Sequence, residues 1–304
     1  MRRCRHYYPA SYSALKDSLS GTDRCSIASD VSSLLKRGRP QYPWLDYPMS
    51  FNMTSFDLKG KTAVVTGASR GIGRAIALGL ARAGADVIVV ASTQENAMGT
   101  LAEIKAFGRR SSAIGCDQSR ATDVKEACEA IFHLFEKIDI LVNNAGTIRR
   151  APSADYTDED WQSVIDTNLT GVFRFCREIG KDMFKRGSGK IINIASLLSF
   201  QGGLTVPAYA ASKGGVAQLT KALANEWAAG GVQVNAIAPG YIATDNTAAL
   251  RSDPIRNKEI MARIPAKRWG KPEDIVGAAL FLSSSSADYV NGHVLTVDGG
   301  WMGR

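Results

Sequence analysis

From Lys61 onward the chain alternates short, wholly apolar runs with longer stretches of helical period. Thr62–Thr66, Asp86–Ala91, Ser112–Cys116, Ile138–Val142, Lys190–Ala195, Val232–Ala238 and His293–Val297 read as strands. They are brief, rich in Val and Ile, and apolar at consecutive positions. Between them, Gly71–Ala83 repeats apolar residues at Ile72, Ile76 and Leu80. Glu95–Phe107, Thr122–Lys137, a long Asp158–Lys185, Ala208–Ala229 and Pro272–Leu282 continue as helices. A strand that is apolar on both faces needs cover on both faces. Alternation with helices of about 12 residues supplies that cover and implies βαβ units around a parallel sheet. No second block of different rhythm follows, so residues 53–304 are expected to form one α/β domain with inserts.

Residues 1–52 break this rhythm. They carry nine serines, Arg39-Pro40-Gln41-Tyr42-Pro43 and no sustained apolar period, which predicts a disordered extension. It reads either as a flexible tail or as residues ahead of a true start at Met53 or Met49. A secretory signal is excluded by the missing apolar core. Arg2, Arg3 and Arg5 resemble an organelle transit peptide, against which Asp17, Asp23, Asp30 and Asp46 count.

The net charge of +8 divides evenly. Eight Lys/Arg against four Asp give the first 52 residues +4, leaving +4 spread over the other 252. No basic run with interleaved aromatics occurs there, so no nucleic-acid partner is expected. No apolar run approaches the roughly 18 residues that span a bilayer, and no membrane association is expected. Five scattered cysteines without a CxxC pair, and three histidines, give no metal-ligand pattern. They are read as reduced thiols of a cytoplasmic protein.

Chemistry enters at the first strand-to-helix turn, Thr66-Gly67-Ala68-Ser69-Arg70-Gly71-Ile72-Gly73. Glycines let the chain reverse and let a pyrophosphate approach the backbone. The helix start then offers free N–H groups and the positive end of its dipole. Asn143-Asn144-Ala145-Gly146 closes the fourth strand, where amide side chains can tie neighbouring loops. With Pro239-Gly240 after the sixth strand and Val297-Asp298-Gly299-Gly300 near the end, these motifs resemble the short-chain dehydrogenase/reductase family over about residues 56–304. The resemblance implies a Rossmann-type, doubly wound parallel sheet of seven strands, a nicotinamide cofactor and a homotetramer.

Tyr209 and Lys213 lie four apart and so share one helix face. A phenol titrates near pH 10, and a nearby ammonium favours its ionised form. Moving it toward ~7 takes about 4 kcal/mol. Ser196 ends the fifth strand, where its hydroxyl can hold a substrate oxygen. By the resemblance, Asn168, Ser196, Tyr209 and Lys213 form the catalytic tetrad. Tyr209 is the acid/base, Lys213 modifies its pKa and binds the ribose, and Asn168 holds a proton-relay water. The resemblance also assigns the dinucleotide to Gly67, Ser69, Arg70, Gly71, Ile72 and Gly73. It adds Ser92, Asp117 at the adenine, Asn143, Ala145 and Gly146, Tyr209 and Lys213, and Pro239, Gly240, Ile242 and Thr244.

The second strand ends Val90-Ala91-Ser92-Thr93, without the acid that accepts from a ribose 2′-hydroxyl. Arg70 in the turn can meet a 2′-phosphate and Ser92 can donate to it, which points to NADP(H). Residues 143–150 (NNAGTIRR), 191–203, 235–247 and 264–270 resemble the sugar-acid branch of the family, which implies NAD(H) instead. That branch acts on a hydroxyl or ketone carbon of 2-deoxy-D-gluconate or 2-dehydro-3-deoxy-D-gluconate, with gluconate 5-oxidation close by. Arg149, Arg150 and Gln201 follow strands at the expected site edge. Arg150 is the candidate carboxylate anchor, and Ser196, Tyr209 and Gln201 complete the substrate set. A 3-oxoacyl-carrier-protein reductase is the alternative suggested by TGASRGIG. A non-catalytic scaffold is disfavoured by the complete tetrad.

Overall fold

The computed structural model describes residues 56–304. The expectation for residues 1–52 lies outside them. Seven parallel strands form one sheet: β1 (Thr62–Thr66), β2 (Asp86–Ala91), β3 (Ser111–Gly115), β4 (Ile140–Asn143), β5 (Gly189–Ile194), β6 (Val232–Pro239) and β7 (Val294–Val297). Their order is β3-β2-β1-β4-β5-β6-β7. The chain winds outward from β1 to β3, then returns to pair β4 with β1, Val64 facing Leu141. Ligands of such sheets bind beyond the strands' C-terminal ends, where the winding reverses. Here that crevice lies between the loops after β1 and β4.

Consecutive strand residues feed opposite faces. Ala63 and Val65 join one core with Ile76 and Leu80 of α1 (Gly71–Arg82), Leu101 and Ile104 of α2 (Gln94–Ala106), and Leu282 near the chain end. Val64 joins the other, with Ile131 of α3 (Ala121–Leu134). Phe175, Ile179 and Met183 also enter that second core, as does Val216. Both faces are therefore dry, which accounts for the unbroken apolar runs.

The long predicted helix is one rod with a defect. It comprises α4 (Asp158–Ile165), a wide π-type turn at Asp166–Thr170 and α5 (Gly171–Arg186). Thr157 caps its start by accepting from the Asp160 N–H. The wide turn carries Asn168, and such bulges recur at functional sites. Next comes α6 (Pro207–Trp227), with proline in its first turn.

Two short helices, α7 (Ala248–Ser252) and α8 (Pro254–Arg263), were not expected from the pattern. Their exposed residues give little apolar period, and Pro254 divides them. Leu250 of α7, Ile260 of α8 and Ile264 just after it pack with Leu197 and Trp301. The predicted Pro272–Leu282 helix is a 3₁₀ turn, Pro272–Ile275, leading into α9 (Val276–Ser283). No helix among the described residues is long and apolar enough to cross a membrane.

Candidate active site

A cleft of about 530 Å3 opens at the winding reversal, lined by Gly67, Ser69, Arg70, Gly71, Ile72, Ser92, Asp117, Ala145 and Gly146. Gly67 has φ +61°, and a Cβ there would stand 2.6 Å from the Ala145 Cα. A side chain at this position would both strain the backbone and fill the cradle. Below it, a Cβ on Gly73 would stand 2.3 Å from Asn144 Nδ2. Thr66 Oγ1 accepts from the Asn144 and Ala145 N–H groups, and Asn144 Nδ2 donates to the Thr66 and Gly67 carbonyls. The turn is thus laced to the loop after β4. The first N–H groups of α1 have no intrahelical acceptor, and no acid stands in that first turn. This cradle fits a dinucleotide's pyrophosphate.

Asn144, not Asn143, performs the lacing. Strand alternation turns Asn143 into the core, where its amide donates to Asn193 Oδ1 at 2.9 Å and to Cys176 Sγ. Asn193 passes the network to Thr220 of α6. Asn143 therefore braces β4, β5, α5 and α6 beneath the cleft. Asp117 accepts from the Ser119 backbone and hydroxyl on the cleft wall. Ser92 Oγ accepts from Asn96.

A smaller cavity of about 140 Å3 continues inward. It is lined by Ser196, Tyr209, Lys213, Pro239, Gly240, Ile242, Thr244, Asn246 and Thr247, among others. Sequence spacing thus brings Ser196, Tyr209 and Lys213 to one wall. Gly240 is required by close approach, since a Cβ would lie 2.6 Å from the Asp298 Cα. Asn246 and Thr247 were missed because they follow the recognised Pro239-Gly240 motif in an irregular loop.

Lys213 is buried, with Nζ donating to the Ile194 carbonyl at 2.6 Å and standing 5.7 Å from the Tyr209 ring centre. Burial pulls its pKa down to about 8. Burial pushes the Tyr209 phenol up, opposed by a hydrogen bond with Ser196 and by the Arg150 charge. The groups that draw Tyr209 down here are Ser196 and Arg150.

Asn168 is fully enclosed. Its Oδ1 accepts from the Thr147 N–H at 2.8 Å, and its Nδ2 donates to the Thr147 carbonyl and to Ser212 Oγ. The side chain thereby joins the loop after β4 to α6, one residue from Lys213.

The two adjacent arginines separate. Arg149 is paired with Asp160 at 3.3 Å, while Arg150 donates to the Asn246 carbonyl on the inner cavity's wall at 3.3 Å. Gln201 does not line that cavity. Its Oε1 accepts from the Trp301 indole. Trp301 packs against Tyr241 with ring centres 4.6 Å apart and planes tilted by 50°, under the Arg263 guanidinium, so the C-terminal residues brace α8 and the loop after β6. Trp269 meets Tyr241 edge-on and bonds Asn257 in the same brace.

With this geometry the chain can be set beside known proteins. Residues 67–302 match the family model described as Enoyl-(Acyl carrier protein) reductase. The chain is 57% identical over 253 residues to the 2-dehydro-3-deoxy-D-gluconate 5-dehydrogenase of Pseudoalteromonas atlantica, covering 83% of this chain and all of that one. It belongs to the short-chain dehydrogenase/reductase family. It is an oxidoreductase of that family, dependent on NAD(H) or NADP(H) and acting on CH–OH groups.

Two solved structures share the fold. One is a provisionally named 2-deoxy-D-gluconate 3-dehydrogenase from Agrobacterium tumefaciens with bound NADP. It is 52% identical, with TM-score 0.76, covering 82% of this chain and 99% of that one. The other is a gluconate 5-dehydrogenase from Burkholderia cenocepacia in complex with NADP and tartrate. It is 39% identical, with TM-score 0.80, covering 83% and 98%.

Proposed function

We propose that this enzyme interconverts a secondary hydroxyl and a ketone on a six-carbon deoxy sugar acid, 2-dehydro-3-deoxy-D-gluconate or 2-deoxy-D-gluconate. The observation that carries this reading is the placement of Arg150. Arg150 does not itself line the Tyr209 cavity, but its guanidinium donates to the carbonyl of Asn246 on that wall and its charge acts on the Tyr209 phenol, whereas Arg149 is paired with Asp160. A sugar acid needs a cation for its carboxylate and polar partners for its hydroxyls. Asn246, Thr247 and Ser196 line the same space. The names of the relatives from Pseudoalteromonas atlantica and Agrobacterium tumefaciens support this class.

When bound, the nicotinamide supplies the hydride acceptor or donor. In oxidation, Tyr209 takes the hydroxyl proton as the hydride leaves the same carbon, and in reduction it returns the proton to the ketone oxygen. Ser196 hydrogen-bonds that oxygen and Tyr209 together. Asn168 ties α6 to the loop after β4, Lys213 ties α6 to β5 through the Ile194 carbonyl, and its ammonium would hold the ribose of a bound dinucleotide. The absence of an acid at the end of β2, with Arg70 and Ser92 on the same cleft, favours NADP(H).

Arg150→Ala should raise KM for a hexonate about ten- to a hundredfold and leave KM for an uncharged ketone nearly unchanged. A charge-assisted contact is worth roughly 1.5–3 kcal/mol. The effect falls in KM because the carboxylate's charge does not change during the reaction. Arg149→Ala is the control. If neither variant separates charged from neutral substrates, the sugar-acid reading fails.

The proposed assembly is a homotetramer in the cytoplasm. Phe173, Trp161 and Phe184 stand exposed on the α4–α5 rod, and β7 and much of α9 are only half-covered although apolar. Two such faces on one chain suit a closed assembly with two kinds of interface. The described cysteines, Cys116, Cys128 and Cys176, are buried free thiols, in keeping with a reducing compartment.

A further inference from the structure

The mouth of the cofactor cleft carries an ion pair that no motif predicted. Arg70 Nε lies 3.0 Å from Asp245 Oδ2, with both side chains about three-quarters exposed. Both residues line the same cleft as Ser92 at the end of β2. Arg70 is the residue before α1, and Asp245 follows β6 in a tight turn. That turn is fixed by its own bonds: Thr247 Oγ1 accepts from the Thr244 N–H and donates to the Ile242 carbonyl. The two segments also touch at Gly71, whose missing Cβ would lie 3.5 Å from Thr244 Cγ2. The backbone therefore delivers a carboxylate to Arg70.

We propose that Asp245 is a cofactor-specificity residue. Its carboxylate competes with the 2′-phosphate of NADP(H) for Arg70 and so restrains a preference that the acid-free end of β2 would otherwise make stronger. An exposed ion pair contributes little by itself, so it can be exchanged. A phosphate bearing close to two charges forms the stronger charge-assisted bonds to a guanidinium. NADP(H) must nevertheless displace Asp245 and accept its negative charge nearby. NAD(H), with a hydroxyl at that position, leaves the pair intact. The pair thus narrows the difference between the two dinucleotides and lets one site use either.

This inference rests on the cleft holding a dinucleotide, not on the identity of the sugar acid. Its test is binding without substrate, so its failure and that of the substrate reading are separable. Calorimetry would give Kd for NADP+ and NAD+ with the wild type, Asp245→Asn, Arg70→Ala and the double variant. Asp245→Asn is expected to tighten NADP+ by about three- to tenfold and to change NAD+ by less than about twofold. In the Arg70→Ala background the gain should fall below about twofold. Raising the salt to about 0.5 M should shrink it in the wild-type background, since these charges are exposed. An unchanged NADP+ affinity, equal changes for both dinucleotides, or the same gain without Arg70 would each overturn the proposal. Asp245→Ala, read the same way, guards against an effect peculiar to the asparagine.

Discussion

Lys213→Met tests whether the site stores energy that folding supplies. Lys213 is 4% exposed, and burial lowers its pKa from 10.5 to about 8. The difference is about 2.5 units, and at 1.36 kcal/mol each the buried charge costs about 3 kcal/mol at pH 7. Removing it also removes the bond to the Ile194 carbonyl and leaves that oxygen drier, a loss of about 1–2 kcal/mol. Methionine matches the length of the apolar stem. The variant should therefore be more stable than the wild type at pH 7 by about 1–2 kcal/mol, or roughly 2–8 °C in Tm, while turnover collapses.

The sign with pH follows from linkage. The folded pKa lies below the unfolded one, so folding expels a proton between about pH 8 and 10.5. Wild-type stability rises with pH in that window and the variant's does not. The gap should be full at and below pH 7, pass through zero between about pH 9 and 10, and reverse by pH 10.5, because the charge cost has gone while the loss of the Ile194 bond remains. Thermal or urea unfolding of the dinucleotide-free protein at pH 7, 9 and 10.5 measures it. A variant that is less stable at pH 7, or a gap that stays constant across the series, refutes the reasoning.

Tyr209→Phe should abolish turnover while dinucleotide affinity stays within about twofold, because only the hydroxyl carries the proton; wild-type-like rates would remove Tyr209 from its role. In the free protein the phenol is held up by burial and drawn down by Ser196 and Arg150. In ketone reduction, where Tyr209 must carry the proton, Arg150→Ala should consequently shift the alkaline limb of the pH–rate profile to higher pH, which stopped-flow or steady-state rates between pH 7 and 11 would detect. Gly67→Ala should weaken dinucleotide binding at least tenfold and lower Tm, since its Cβ would lie 2.6 Å from the Ala145 Cα at φ +61°; calorimetry and melting read the two effects. A chain beginning at Met53 should melt and turn over like the full chain, and a large loss in either would mean that the first 52 residues dock. Light scattering should give a tetramer at micromolar concentration, and a stable monomer would count against the two-interface reading.

What the residues determined alone was whatever depends on near neighbours along the chain. Strand positions followed from continuous Val/Ile runs, because both sheet faces are buried. The turn from Thr66 to Gly73 and the Tyr209–Lys213 spacing carried the dinucleotide and proton-transfer chemistry, since a tight turn and a four-residue helical step are local geometry. Tertiary structure decided matters that depend on which distant segment arrives opposite. Of two adjacent asparagines, strand alternation sent Asn143 into the core and left Asn144 to lace the cleft. Of two adjacent arginines, Asp160 claimed Arg149 and left Arg150 to the Asn246 carbonyl beside the cavity. Gln201 went to the Trp301 indole, and Arg70 met Asp245 from 175 positions along the chain. The direction of the Tyr209 shift also came from enclosure, because desolvation is set by the whole surrounding fold rather than by the lysine four residues away.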